Sequence, residues 1–178
     1  LFYTKNYFLN INNNNYKYNK WVLYGNINVT NRTNNNRKKL LNIGNNNKDI
    51  FDFIHVDSNT KKNFKSIIDI MKDYSILLDI EGGGYSARLK YLLLSNKPLL
   101  IVYRPYKEFF FKNLQEYVHY IPVKRDLSDL IEKTKWILNN YNESLHIANN
   151  ALEFAKTYLS EEYVYRHIFN IIQNQNKI

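Results

Sequence analysis

Apolar residues along this chain gather into short compact runs that alternate with longer stretches of helical period. The runs are Lys20–Gly25 (KWVLYG), Ile50–Val56 (IFDFIHV), Ser75–Ile80 (SILLDI), Pro98–Tyr103 (PLLIVY) and Val118–Val123 (VHYIPV). Their brevity, their β-branched, leucine and aromatic content and the Gly, Asn, Asp or Pro near their ends predict strands. PLLIVY reads as a parallel strand buried on both faces, and Pro122 marks the last run as an edge or strand end. Between the runs, spacings of three and four predict helices. One is basic, over Arg37–Ile43, bracketed by Asn34–Asn36 and Asn45–Asn47. Another follows the caps Asp57 and Ser58 to about Met71, a third covers Tyr85–Leu94, and a short one covers Glu108–Leu114.

From Asp126 the pattern is helical throughout. Leu127, Leu130, Ile131, Thr134, Ile137 and Tyr141 share one face behind an Asp126 cap. Asn142 opens a helix carrying Leu145, Ala148, Leu152, Ala155 and Leu159, and Ser160 caps a third that runs to about Ile172. Strands alternating with helices, then helices alone, predict an α/β fold: a Rossmann-like doubly wound parallel sheet of four or five strands with a helical C-terminal end. Residues 1–20 keep no period and read as arm or loop, leaving 21–178 as one domain.

Composition agrees with a packed domain, since 44% of the 178 residues are hydrophobic and 16% aromatic. The 16 tyrosines and abundant Asn and Lys match the coding bias of an A+T-rich genome, so Asn-rich stretches carry no functional weight. The net charge of +9 is uneven: residues 1–50 hold eight Lys/Arg against one acid, the rest seventeen against fifteen. Such a segment favours anions, whether nucleic acid, anionic membrane or a phosphorylated ligand, and a solvated face explains it equally well. There is no zinc spacing, no RNA-recognition aromatic signature and no basic helical face, so no nucleic acid partner is expected. The absence of cysteine excludes disulfides and thiolate metal sites. No apolar run reaches membrane-spanning length, so no transmembrane segment is expected, and the start at Leu1 suggests a piece of something longer.

The densest chemical signal is YSILLDIEGGGYSAR, Tyr74 to Arg88. It reads as strand, glycine turn, helix. Gly82, Gly83 and Gly84 lack the Cβ that would keep a ligand from the backbone, and N–H groups at a helix start suit a phosphate. Ser86 and Arg88, expected in the first helical turn, offer a hydroxyl donor and a guanidinium fork. A tight turn with no ligand fits the same pattern. Arg32 lies just beyond the end of the first strand. His55, inside a strand, is the kind of histidine that hydrogen bonds structurally, and Asp79 with Glu81 at a strand end is read as no metal site.

DIEGGGYSARLKYLLLSNKPLLIV, then EFF, then VHYIPVKRDLSDL, with YGNINVTNR upstream, resembles the donor-binding half of glycosyltransferase family 90. That family includes Rumi-type protein O-glucosyltransferases, capsule-associated xylosyltransferases and lipopolysaccharide-modifying relatives. The resemblance is dense from about Leu77 to Ala155. It implies the C-terminal domain of a GT-B glycosyltransferase, with Gly82, Gly83, Gly84, Tyr85, Ser86 and Arg88 on the donor diphosphate and Arg32 closing from the other side. Glu108 and Phe109, with Phe110, would lie near the ribose or sugar, and His119, Tyr120 and Pro122 would shape the sheet edge.

The activity implied is transfer of glucose or xylose from a UDP-sugar to a hydroxyl of a protein or glycan acceptor. No cofactor or metal is implied, because arginines take that role. The catalytic base and acceptor site would belong to an N-terminal domain that this chain lacks, so no catalytic residue is assigned. Tyr24 stands where the family usually has arginine, and Ser75-Ile76 where it often has Lys-Tyr. Either departure would weaken donor binding or change the sugar, and Tyr24 with the missing half supports an alternative reading, a non-catalytic α/β binding or scaffold domain derived from such an enzyme. The relatives imply the secretory lumen; a viral or bacterial gene would imply the cytosol. Convergence of Arg88 and Arg32 on the glycine turn would favour the transferase.

Overall fold

A computed structural model describes residues 16–25, 31–56 and 65–175, apart from the side chains at positions 24, 31–34 and 55. Five strands form one parallel sheet in the order β2-β1-β3-β4-β5: β1 (Tyr18–Gly25), β2 (Phe51–His55), β3 (Tyr74–Asp79), β4 (Leu99–Val102) and β5 (Ile121–Val123). The helices are α1 (Asn31–Asn46), α2 (Ile67–Asp73), α3 (Leu89–Leu93), α4 (Leu130–Asn139), α5 (Tyr141–Tyr158) and α6 (Glu161–Gln175), with a 3-10 turn over Phe109–Asn113. This is the doubly wound arrangement that the alternating pattern predicts.

All six residues of β3 are buried. Leu77 belongs to an apolar cluster with Ile70 of α2, Leu89 and Leu92 of α3 and Phe154 of α5. Its neighbours Ile76 and Leu78 join the opposite cluster, with Leu40 of α1 and Leu130 and Ile137 of α4. Two covered faces explain why the strand shows no polar alternation. Each such Leu or Ile is worth about 1.5–3 kcal/mol on burial, so the centre of the sheet holds the loops at its ends on a rigid support.

Several predicted boundaries move. The basic helix absorbs Asn34–Asn36 and, of Asn45–Asn47, all but Asn47, running from Asn31 to Asn46. Asp57 and Ser58 lie outside the described residues; α2 begins at Ile67, where Ser66 Oγ accepts from the Asp69 N–H at 3.1 Å. The helix after the glycines starts at Leu89, not Tyr85, and is five residues long. Ser86 therefore precedes it and Arg88 is its N-cap residue, without a capping side-chain bond. Asp126 does not cap α4 either. Its carboxylate accepts from the Ser128 N–H at 3.1 Å, Leu127 adopts φ 62°, and α4 begins at Leu130. Of VHYIPV only Ile121–Val123 is strand, because Tyr117 at φ 58° turns the chain just before it.

α6 has no buried residue. It rests on the body through rings: Tyr163 meets Tyr158 edge-on at 4.9 Å, and His167 stacks on Phe109 at 4.8 Å. Its other side leaves Tyr165, Ile168, Phe169, Ile171 and Ile172 exposed. No described helix is long and apolar enough to cross a membrane.

Candidate functional site

Strand order reverses between β1 and β3, since the sheet grows to β2 on one side and to β4 and β5 on the other. Open α/β sheets hold ligands in the crevice outside the carboxyl ends of the strands at such a point. Both flanks of this crevice are glycine: Gly25 closes β1, and Gly82, Gly83 and Gly84 follow β3. None of the described glycines has positive φ, so their value here is the space they leave. A Cβ on Gly84 would meet nothing within 4 Å, and one on Gly82 would meet the Tyr85 carbonyl oxygen at 3.4 Å.

Two guanidiniums fill the flank at Gly25. A Cβ there would stand 3.1 Å from Arg37 Nη1 and 3.8 Å from Arg88 Nη1. Arg37 comes from α1, is only 4% exposed, and donates through Nη2 to the Glu81 carbonyl at 2.8 Å. Burial, and then the charge of Arg88, push its pKa down to about 10 against the pull of Asp79 and Glu81, so it stays cationic at neutral pH. From sequence alone Arg37 reads as one more cation of a basic helix. A signal was present, since Arg37, Leu40 and Gly44 follow the spacing of one helical face, and all three are buried.

The glycine turn is tied down from beneath. Ser86 Oγ donates to Asp79 Oδ1 at 2.6 Å, and the other oxygen of Asp79 pairs with Arg104 at the exit of β4. The Glu81 carboxylate is buried, makes no hydrogen bond, and has the half-exposed Arg125 guanidinium 4.0 Å away. Around the crevice, Arg37, Arg88, Arg104 and Arg125 face the buried Asp79 and Glu81, an excess of two positive charges. The five-residue α3 adds little dipole, so the positive potential here comes chiefly from the guanidiniums.

Glu108 sits at the N-cap of the 3-10 turn without a capping bond, half-buried, with Oε2 lacking any hydrogen-bond partner. Burial raises its pKa, with Asp79 adding to the shift while Lys90 and Arg104 oppose it. The same charges place Glu108 electrostatically beside the Asp79–Arg104 pair. Phe109 is 39% exposed with His167 on its ring, and Tyr85 is 56% exposed.

The structure thus gathers Gly82–Gly84, Ser86 and Arg88 with Arg37, and brings Glu108 near them. It does not bring His119, which lies before β5 at the other end of the strands. There its Nδ1 accepts from the Gln115 N–H at 3.0 Å, its ring packs on Phe154, and burial lowers its pKa. The side chains of Arg32, Tyr24 and His55 lie outside the described residues; Arg32 itself falls in the first turn of α1. Among the described residues no three His, Asp or Glu side chains form a metal-binding group.

A sequence profile described as glycosyl transferase family 90 matches residues 7–178. The chain belongs to that family. It is 32% identical over 113 residues to human protein O-glucosyltransferase 3, covering 64% of this chain and 22% of the relative. Protein O-glucosyltransferase 2 of Danio rerio is 34% identical over 108 residues, 61% of this chain and 21% of the relative. An uncharacterized protein, 179R, of Invertebrate iridescent virus 6 is 34% identical over 56% of this chain and 9% of its own length. The family 90 chain therefore spans about a fifth or less of these relatives. Among solved structures, HepE of Anabaena in complex with UDP superposes with a TM-score of 0.58 at 11% identity, over 88% of this chain and 41% of that one. The C-terminal domain of the glycosyl transferase group 1 family protein LpcC of Francisella tularensis gives 0.55 at 13% identity, over 82% and 88%. The doubly wound fold is thus that of GT-B glycosyltransferase domains.

Proposed function

We propose that this chain is the donor-binding domain of a glycosyltransferase that moves glucose or xylose from a UDP-sugar to a hydroxyl of a protein or glycan. The observation that carries the reading is the convergence of Arg37 and Arg88 beside Gly25, opposite the glycine turn, at the reversal of strand order. Family membership and the UDP held by the similarly folded HepE support the same ligand.

In this reading residues 21–178 form one domain. The diphosphate lies along Gly82, Gly83 and Gly84 between Arg88 and Arg37, and Arg32 is the further diphosphate contact that the family resemblance implies. As the glycosidic bond breaks, negative charge grows on the departing diphosphate, and guanidiniums already fixed in place stabilise it without a metal. Burial makes this effective, because the Arg37 charge is poorly screened by water. Glu108 accepts from a ribose or sugar hydroxyl, flanked by Tyr85 and Phe109. The base that deprotonates the acceptor belongs to a separate N-terminal acceptor half.

Calorimetric titration with UDP and UDP-glucose tests this directly. Saturable binding is expected, weakened at least about tenfold by Arg88→Ala, the scale of one lost charge-assisted hydrogen bond. A folded wild-type chain that binds neither ligand would overturn the reading and leave the scaffold alternative.

A further inference from the structure

We propose that Ser86 serves the donor site through Asp79 and Arg104 and not by giving its hydroxyl to the phosphate; Asp79 and Arg104 are positioning residues for the glycine turn. The inference rests on the donor-site reading above and changes the role that the family resemblance implies for Ser86.

The chemistry is one of proton supply. A serine hydroxyl has a single proton to donate, and a nucleotide diphosphate at neutral pH only accepts. That proton already lies on a charge-assisted bond to Asp79 Oδ1 at 2.6 Å. Ser86 is 4% exposed, Asp79 0% and Arg104 2%, so water is excluded from taking over the bond if Ser86 turns away. Turning toward the ligand would strip a buried carboxylate of one of its two partners. Arg104 completes the logic: paired with Asp79, it cancels a negative charge that would otherwise repel an incoming diphosphate at the end of β3.

The bond also closes a loop. It joins the last residue of β3 to the exit of the glycine turn, seven residues on, and the Ser86 carbonyl then accepts from the Leu89 N–H at 3.2 Å to start α3. Three glycines between two such anchors have wide conformational freedom, and fixing both ends sets the turn's N–H groups and Arg88 before a ligand arrives. The cost of ordering is then met on folding and not on binding.

A double-mutant cycle separates this from direct contact. Ser86→Ala is made in the wild type and in a background where Arg104→Met with Asp79→Leu replaces the buried ion pair by apolar groups, an exchange that buried pairs tolerate. UDP affinity is measured by calorimetry, and amide hydrogen exchange at Gly82–Tyr85 is measured without ligand. In the wild type, Ser86→Ala is expected to weaken UDP and speed exchange in the turn, each about tenfold, while Ser86→Thr restores both. In the apolar background, Ser86→Ala is expected to change either quantity less than about twofold. Equal loss of affinity in both backgrounds would mean that the hydroxyl touches the phosphate and would overturn the proposal. So would unchanged exchange in the wild-type background. A wild type that fails to bind UDP yet shows the exchange coupling would defeat the donor-site reading while upholding the tie between Ser86 and the turn.

Discussion

Arg37 Nη1 and Arg88 Nη1 flank the bare Cα of Gly25, 3.1 Å and 3.8 Å from where a Cβ would stand. The two cations come from α1 and from the start of α3, elements that share no strand pairing. They meet at the end of β1. Like charges so close repel, and the repulsion is part of why the Arg37 pKa falls to about 10. An anion bound between them would relieve it.

Gly25→Ala is therefore expected to act on binding more than on folding. Arg37 must yield by a few tenths of an ångström, and its bond to the Glu81 carbonyl leaves little room to do so. UDP affinity should fall about tenfold, one charge-assisted bond's worth. Arg37→Ala should fall at least as far and also lose about 1–3 kcal/mol of stability, since the buried Glu81 carbonyl loses its donor. Calorimetry and denaturant melts on the two variants check both numbers; full UDP affinity in Gly25→Ala would remove the diphosphate from this flank.

Gly84→Ala should split stability from binding in opposite directions. The new methyl meets no protein atom within 4 Å, and the backbone there is not left-handed. Reducing the freedom of the unfolded chain should stabilise the fold by about 0.4–1 kcal/mol. The same methyl occupies the space assigned to the diphosphate, so UDP binding should weaken. A melt and a titration suffice, and unchanged affinity would place the ligand elsewhere.

Glu108 supplies a pH dependence. Burial raises its pKa, so on acidification the folded state takes up this proton before the unfolded state does. Glu108 accordingly adds stability as pH falls through its folded pKa, and costs stability above it. Binding runs the other way, because the ionised carboxylate is a much stronger acceptor for a hydroxyl than the neutral acid. Affinity for UDP-glucose should fall as pH descends through the same range, and Glu108→Gln should abolish that slope. Titrations at several pH values on both proteins measure it; an identical slope in the variant would take Glu108 away from the sugar.

The sheet was legible because its strands are short apolar runs separated by turn residues, and the glycine turn because Gly82–Gly84 interrupts so clear a run. Strand order was not, since pairing of β1 with β3 across a long stretch of sequence leaves no local mark. Arg37 was hidden for a related reason: a basic residue near other basic residues looks solvated until tertiary packing buries it. The sequence reading sets Ser86 and Arg88 one turn too deep in a helix. The inward bond of Ser86 to Asp79 delays that helix to Leu89, a contact between residues seven apart that neither period nor propensity encodes.

The ring of His167 on Phe109 ties the last helix to the 3-10 turn, although its outer stripe looks like a disposable tail. Removing the whole helix to shed Phe169 and Ile172 would also bare one face of Phe109, next to Glu108. Solubility and the cover of Phe109 thus make conflicting demands on where the chain is cut. Polar replacements at Phe169 and Ile172, with Tyr163 and His167 kept, reconcile them.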